Sequence, residues 1–191
     1  NGINPYIHII FDGRDTPPKD GFYYLSKLNE KIRETGTGII SSIQGRFYGM
    51  DRDSRWERIK LAYDAMVGLS PETFQDPVSA LQKAYANNQT DEFIKPQTRV
   101  DASGKPIGPV KSEDILLFWN FREDRARELT KAFVSKDFTH FVRRNYPENL
   151  YVVTMTGYEE GINAHVIFPP TKIDTPIAEY ISDLGFKQLH I

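Results

Sequence analysis

The feature that most restricts the fold is residues 115–121 (ILLFWNF), a short run dominated by apolar and aromatic residues. Its length and composition predict a buried strand, and a helical pattern follows at residues 124–134. The same order recurs along the chain, with further strands expected at 7–12, 38–43, 150–155 and 186–191 and further helices at 20–34, from Ser54, at 77–86 and at 175–184. This alternation predicts an α/β fold, a layered α/β/α domain with a largely parallel sheet.

Two of the predicted helices carry specific start signals. Ser54, with Glu57 three residues later, has the spacing of a capping box. Asp76 is expected as an N-cap with Pro77 in the first helical position. Between helix and strand, the turn-rich residues 100–111 (VDASGKPIGPVK) predict a surface loop or loose hairpin.

Length and composition narrow the function classes. The 191 residues suit a single domain, and no apolar run approaches the roughly 18 residues of a membrane helix. Without a basic-then-apolar leader, a cytoplasmic protein with no membrane partner is expected. The absence of Cys excludes disulfides and Cys-ligated zinc, and the His at positions 8, 140, 165 and 190 lack metal-ligand spacing. The 24 basic and 26 acidic residues are interspersed, which argues against a nucleic-acid partner.

Arginine-bearing loops follow three of the predicted strands. In open parallel sheets ligands bind at the carboxyl edge, so these loops are expected to lie near one another. A guanidinium stays charged when buried, and its planar fork of donors suits phosphate or carboxylate oxygens. The pattern therefore predicts a convergent cationic pocket for a small anion, formed by Arg14 after the first strand, Arg46 and Arg52 after the second, and Arg122 and Arg125 after the strand at 115–121.

Arg122 and Arg125 also stand at the start of a predicted helix. The helix dipole disfavours a cation there by about 0.3–1 kcal/mol unless an anion lies nearby. For any single arginine the alternative is a solvated side chain or a surface ion pair, and Arg55 and Arg58 are given that role. Repeated placement at strand ends is what favours ligand binding for the group.

Four other polar residues have competing interpretations. Asp15, beside the first arginine, could accept a hydrogen bond or a proton from a substrate hydroxyl, or it could form an Asx-turn in its own loop. Asp12 is interpreted as a turn former rather than a metal ligand. His8 is expected to be a core histidine with a backbone partner. Asn120 could orient a ligand or cap the following turn, and the cap is favoured. No Gly-rich phosphate loop is present.

At these residues the sequence resembles the cofactor-independent (2,3-bisphosphoglycerate-independent) phosphoglycerate mutases. The resemblance extends from about residue 6 to residue 191. The stretches that carry it are H-I-I-F-D-G-R-D-T-P-P-K (8–19), Q-G-R-F-Y-G-M-D-R-D-S-R-W-E-R (44–58), T-D-E-F-I-K-P (90–96), W-N-F-R-E-D-R-A-R-E-L-T (119–130) and T-M-T-G-Y (154–158).

The resemblance implies an isomerase of glycolysis and gluconeogenesis that interconverts 3-phosphoglycerate and 2-phosphoglycerate through a phosphoserine. In that family a phosphatase-like domain of the alkaline phosphatase superfamily carries the serine and two manganese ions, and an inserted phosphotransferase domain holds the substrate. Residues 1–191 would be that inserted domain, with its termini at the two hinge connections. The residues on the substrate-contacting positions are Arg14, Asp15, Arg46, Arg52, Arg122 and Arg125, with Asp15 as the catalytic candidate.

The resemblance also implies that this chain binds no metal and is inactive alone, because the serine, the metal ligands and a lysine lie outside it. Its expected partners are the substrate and the phosphatase-like domain. Two other interpretations remain open from the residues. One is the insert domain of a related metal-dependent phosphomutase or phosphatase, and the other is a non-catalytic anion-binding module.

Overall fold

The α/β class predicted from the sequence is confirmed. A computed structural model of the protein describes residues 2–169, 171 and 174–189. In chain order, the elements are β1 (Tyr6–Phe11), α1 (Gly21–Thr35), β2 (Ile39–Gly45), α2 (Arg46–Gly49), α3 (Trp56–Met66), β3 (Thr73–Phe74), α4 (Pro77–Ala86), a 3-10 helix (Asp91–Phe93), β4 (Gln97–Arg99), β5 (Ile115–Phe118), α5 (Glu123–Val134), β6 (Tyr151–Thr154), β7 (His165–Val166) and α6 (Ile177–Asp183).

The described strands form two sheets instead of the single sheet that the alternation suggested. The first has the order β1-β2-β4-β3, in which β1 and β2 are parallel and Phe11 lies opposite Gly45. Its β2–β4 pair is antiparallel and its β3–β4 pair is parallel. The second sheet, β5-β6-β7, is parallel throughout. The pairing is therefore largely parallel, and the short strands β3, β4 and β7 were not foreseen.

Each sheet is covered by helices through its own apolar core. One core joins the first sheet to α1 and α4, and its buried members include Leu25, Ile43 and Leu81. The other joins the second sheet to α3 and α5, and its buried members include Tyr63, Leu129 and Phe133. Burying a side chain of this size stabilises the fold by about 1.5–3 kcal/mol, so these contacts fix the helices on the sheets.

The start of α4 confirms its predicted cap. The helix begins at Pro77, and the backbone N–H of Ser79 donates to Asp76 Oδ2 at 2.7 Å. Residues 100–111 form the predicted loop, with one bridge between Val100 and Pro106.

The capping box predicted at Ser54 and Glu57 is wrong. The N-cap residue of α3 is Arg55, which makes no side-chain cap hydrogen bond, and Ser54 lies before it with a φ of 59°. Asp51 orders the turn that precedes the helix, because its Oδ1 accepts the backbone N–H groups of Asp53 and Arg55 at 3.0 Å each.

The outer face of the second sheet is apolar and exposed. Ile115 and Leu117 of β5 are 70% and 46% exposed, and Trp119 beyond the strand is 74% exposed. Tyr151 of β6 stacks on His165 at 4.1 Å between ring centroids. Both faces of a parallel sheet are usually covered, so the exposure of this face is unusual.

The last part of the chain departs from the predicted pattern. The helix expected at residues 175–184 is present as α6. The strand expected at 186–191 is wrong for residues 186–189, which adopt no regular structure, and residues 190 and 191 lie outside the described part. Among the described helices, none combines the length and apolar character needed to span a membrane.

Candidate anion-binding site

The carboxyl edge of the first sheet brings the first two arginine loops together. Because Phe11 and Gly45 are paired at the ends of parallel strands, Asp12 and Arg46 follow at neighbouring points. Arg46 is 8% exposed, and its Nη1 donates to Asp15 Oδ2 at 2.8 Å and also to Asp12 Oδ1. The guanidinium is therefore held between two carboxylates of the loop after β1.

The second sheet adds Arg125 to the same place. Residues following β5 lead into α5, and Arg125 in its first turn donates from Nη1 to the backbone oxygen of Met50 at 3.2 Å. Arg52, in the loop after α2, donates to Asp124 Oδ2 at 2.5 Å. Loops from both sheets thus meet, whereas the carboxyl-edge argument expected the loops of a single sheet to do so.

A cleft of about 390 Å³ lies where these loops meet. Six arginines and three carboxylates line it, which leaves a net charge of +3 on its walls. The lining residues are Arg14, Arg46, Phe47, Met50, Asp51, Arg52, Asp53, Arg55, Arg58, Glu92, Phe93 and Arg125. Such a surface suits an anion with more than one negative charge.

Two of the predicted site residues lie beside this cleft instead of on its walls. Arg122 is 68% exposed and is paired with Asp124, its Nε lying 2.7 Å from Oδ1. Asp15 is 81% exposed and contacts Arg46.

Most of the arginines on the cleft walls are balanced by carboxylates of the chain itself. Arg14 Nη1 lies 3.7 Å from Glu92 Oε1. Arg46 is paired with two aspartates, and Arg52 with Asp124. These carboxylates occupy positions near the guanidinium groups that an anionic ligand could take.

Arg125 is the exception. It makes no ion pair in the described structure, and its buried Nε has no hydrogen-bond partner. Burial lowers the pKa of Arg125, and the nearby charges of Arg52 and Arg46 lower it further. A partly buried guanidinium without an ion pair is costly, so Arg125 is the group that an incoming anion would stabilise most.

Asp12, not Asp15, forms the turn after β1. Its Oδ1 accepts the backbone N–H of Arg14 at 3.4 Å, while Gly13 adopts a φ of 69° and donates to Thr16. Burial alone would raise the pKa of Asp12, but hydrogen bonds from Arg46 and from backbone N–H groups hold it below its ordinary value. The predicted turn role of Asp12 is confirmed. The Asx-turn alternative for Asp15 is wrong, which leaves its exposed carboxylate as an acceptor.

The start of α5 supplies its own anion. Asp124, in the first turn, accepts from both Arg122 and Arg52, and these hydrogen bonds lower its pKa despite partial burial. Asp124 therefore supplies an anion beside Arg122 at this helix start. Arg125 feels the charge of Asp124 but makes no ion pair with a carboxylate in the described structure.

Arg55 and Arg58 are more closely tied to the site than the sequence suggested. Both guanidinium groups lie within 3.3 Å of Asp51 Oδ2, and Asp51 is only 3% exposed. The guanidinium of Arg58 also stacks over Phe47 at 3.7 Å. They make ion pairs, as expected, but these pairs form a wall of the cleft. The density of charge in D-R-D-S-R-W-E-R was the available signal.

His8 and Asn120 lie outside the cleft walls. His8 Nδ1 contacts Ser42 Oγ at 2.8 Å, so its partner is a side chain and not the predicted backbone group. Burial lowers the pKa of His8 to about 4. The backbone oxygen of Asn120 accepts from Tyr158 at 2.5 Å, and α5 has no side-chain cap, so the predicted cap at Asn120 is wrong.

No group of three His, Asp or Glu side chains that could hold a metal ion occurs within the described ranges. A second cleft, of about 500 Å³, lies beside α1 and α4. Its Arg99 already donates to the backbone oxygens of Gln75 and Ile40. The arginine cleft is therefore the stronger candidate for a binding site.

Comparisons with known proteins agree on one family. A family model described as "BPG-independent PGAM N-terminus" matches residues 1–160. A 2,3-bisphosphoglycerate-independent phosphoglycerate mutase 1 of Methanosarcina barkeri is 44% identical over 187 residues, which cover 97% of this chain and 36% of that protein. The corresponding enzyme of Listeria monocytogenes is 43% identical over 189 residues, covering 98% of this chain and 37% of its own length.

A solved structure supports the same relation. The crystal structure of Leishmania mexicana phosphoglycerate mutase at low cobalt concentration superposes with a TM-score of 0.81 at 30% identity, covering 94% of this chain and 34% of that one. The chain thus spans little more than a third of the length of these relatives.

Proposed function

Since the chain belongs to the family of BPG-independent phosphoglycerate mutase N-terminal domains, we propose that it is the substrate-binding part of such a mutase. The enzyme would interconvert 3-phosphoglycerate and 2-phosphoglycerate in glycolysis and gluconeogenesis. The observation that carries the proposal is Arg125, a partly buried guanidinium without an ion pair in a cleft with a net charge of +3. A phosphate ester supplies the charge and the acceptors that this group lacks.

The residues of the cleft would have different roles in binding the substrate. Arg125, with Arg46 and Arg52, would hold the phosphate or carboxylate of the substrate, because these cations come from three different loops. Arg14 would exchange its loose contact with Glu92 for a ligand oxygen. Binding by several fixed guanidinium groups orients the ligand, which is the main contribution that a protein makes to phosphoryl transfer.

Asp15 is the proposed catalytic residue of this chain. Moving the phosphoryl group between two hydroxyls of glycerate requires one oxygen to gain a proton and the other to lose one. The Asp15 carboxylate is exposed and contacts Arg46, so it is placed to accept a hydrogen bond or a proton from a substrate hydroxyl. Arg122, exposed at the edge of the cleft, would contact the same ligand from the side of α5.

The remaining steps are assigned to polypeptide outside this chain. Two manganese ions and the serine that accepts the phosphoryl group would belong to a phosphatase-like domain, into which this domain would be inserted. The exposed apolar face of the second sheet is consistent with contact with further polypeptide. On this proposal the enzyme works in the cytoplasm with its phosphorylated substrates, and this chain alone does not turn over.

The proposal is tested by calorimetric titration of the chain with 3-phosphoglycerate in a chloride buffer free of phosphate and sulfate. Arg125→Ala is expected to weaken binding roughly tenfold to a hundredfold, because a hydrogen bond to a charged group is worth about 1.5–3 kcal/mol. The matched control is Arg33→Ala, which removes the same charge from the end of α1. An unchanged affinity in Arg125→Ala, or no binding by the unmodified chain, would contradict the proposal.

A further inference from the structure

We infer that Asp91 is a positioning residue of the cleft, which holds the Arg14 and Arg46 loops in register through the 3-10 turn that it begins. The inference rests on the proposed function and concerns the T-D-E-F stretch at residues 90–93, to which no role was assigned from its residues. The turn lies between the two loops, and each touches it through a glycine.

The first loop is packed directly against the turn. A Cβ placed on Gly13 would lie 2.8 Å from the backbone nitrogen of Glu92 and 2.9 Å from Asp91 Cβ. The backbone N–H of Asp91 also donates to the oxygen of Pro18 at 2.8 Å. Both ends of the loop that carries Arg14 and Asp15 are therefore held by the same turn.

The second loop is packed still more closely. A Cβ on Gly45 would lie only 2.1 Å from the backbone oxygen of Glu92 and 2.5 Å from that of Asp91. The backbone N–H of Gly45 donates to the backbone oxygen of Ile94 at 2.8 Å. Because Arg46 is the next residue, this contact fixes the position at which helix α2 begins.

Asp91 itself is anchored from two helices. It is 1% exposed, its Oδ2 accepts the N–H of Gly21 at 2.8 Å, and its other oxygen accepts the hydroxyl of Tyr85. Gly21 begins α1 and Tyr85 lies in α4, so the turn is fixed to the core of the first sheet. The buried carboxylate therefore holds the turn, and with it the two loops, in a fixed position relative to the core.

The position of the turn matters because guanidinium groups bind anions through a fixed geometry. A displacement near 1 Å in the groups that hold a substrate is enough to slow the reaction about a hundredfold. The turn also carries Glu92, whose carboxylate lies beside Arg14 on the wall of the cleft. Asp91 thus controls the relative placement of Arg14, Glu92 and Arg46 without touching the ligand.

The test compares Asp91→Ala with Asp91→Asn, using 3-phosphoglycerate as the ligand at a temperature where both variants are folded by circular dichroism. Asp91→Ala is expected to bind at least about tenfold more weakly. Asp91→Asn keeps an acceptor for Gly21 and is expected to stay within about threefold of the unmodified chain. Leu81→Ala, at a fully buried position in α4, controls for destabilisation and should lower the melting temperature without a comparable loss of affinity.

Hydrogen exchange on the ligand-free chain supplies a second readout that does not depend on binding. In Asp91→Ala the amide of Gly45 should lose protection relative to that of Ile43 in the same strand, and in Leu81→Ala it should not. Selective loss at Gly45 supports the inference even if the chain binds no ligand, in which case only the proposed function fails. Unchanged relative protection, or affinity that follows the melting temperature across all three variants, overturns it.

Discussion

Two arginines of the cleft, Arg46 after the first sheet and Arg125 after the second, differ in what balances their charge. Arg46 is buried but lies between Asp12 and Asp15, and its hydrogen bonds with these carboxylates raise its pKa although burial opposes this. Among the described residues, the hydrogen-bond partner of Arg125 is the backbone oxygen of Met50. A cluster of arginines is therefore not uniform, and the member without a carboxylate is the one that indicates a ligand.

The largest effect on stability is expected from a substitution that disrupts the close packing next to Arg46. In Gly45→Ala the added methyl group would overlap the backbone oxygen of Glu92, which cannot move aside as a flexible side chain could. The free energy of unfolding, measured by urea denaturation, should fall by at least about 3 kcal/mol.

Gly104→Ala provides the matched control for that substitution. Gly104 has a φ of 83° but open space around its Cβ position, so only backbone strain of about 1–2 kcal/mol is expected. Equal losses in the two variants would show that the turn at residues 91–93 does not constrain the second loop.

A smaller effect, with a different outcome on the two sides, is expected when each arginine is replaced by methionine. Arg46→Met should lower the free energy of unfolding by about 1–3 kcal/mol, because Asp12 loses its main partner. Arg125→Met should leave it unchanged or raise it by up to about 1 kcal/mol, because a cation close to Arg52 and Arg46 is removed. Urea denaturation in an anion-free chloride buffer measures both, and similar losses would contradict the comparison.

Much of the fold followed from periodicity and turn chemistry. The alternation of strands and helices, the cap at Asp76 and the convergence of the arginine loops could all be inferred because they depend on local patterns and on the carboxyl-edge rule. The division into two sheets could not, since it depends on which strands pair. The two-residue strands β3 and β7 are too short to produce a periodic signal.

The details of the site were less accessible because they depend on contacts distant in sequence. Ser54 has the expected capping-box spacing, yet its N–H donates to Glu128 in α5 at 2.8 Å, and the N–H of the N-cap residue Arg55 donates to Asp51. Asp12 and Asp15 both contact Arg46, and their roles differ because Asp12 also accepts the backbone N–H of Arg14. Contacts between residues that are distant in the chain, such as Glu92 beside Arg14, produce no local sequence pattern.

The central claim is that Arg125 is an unbalanced cation which an anion stabilises. The most direct measurement is the change in the free energy of unfolding when inorganic phosphate is raised to roughly ten times its dissociation constant for the unmodified chain. Linkage predicts a gain of about 1.4 kcal/mol for the unmodified chain and for Arg33→Met, and less than about half of this for Arg125→Met. An equal gain in all three proteins, or none in any of them, would contradict the account.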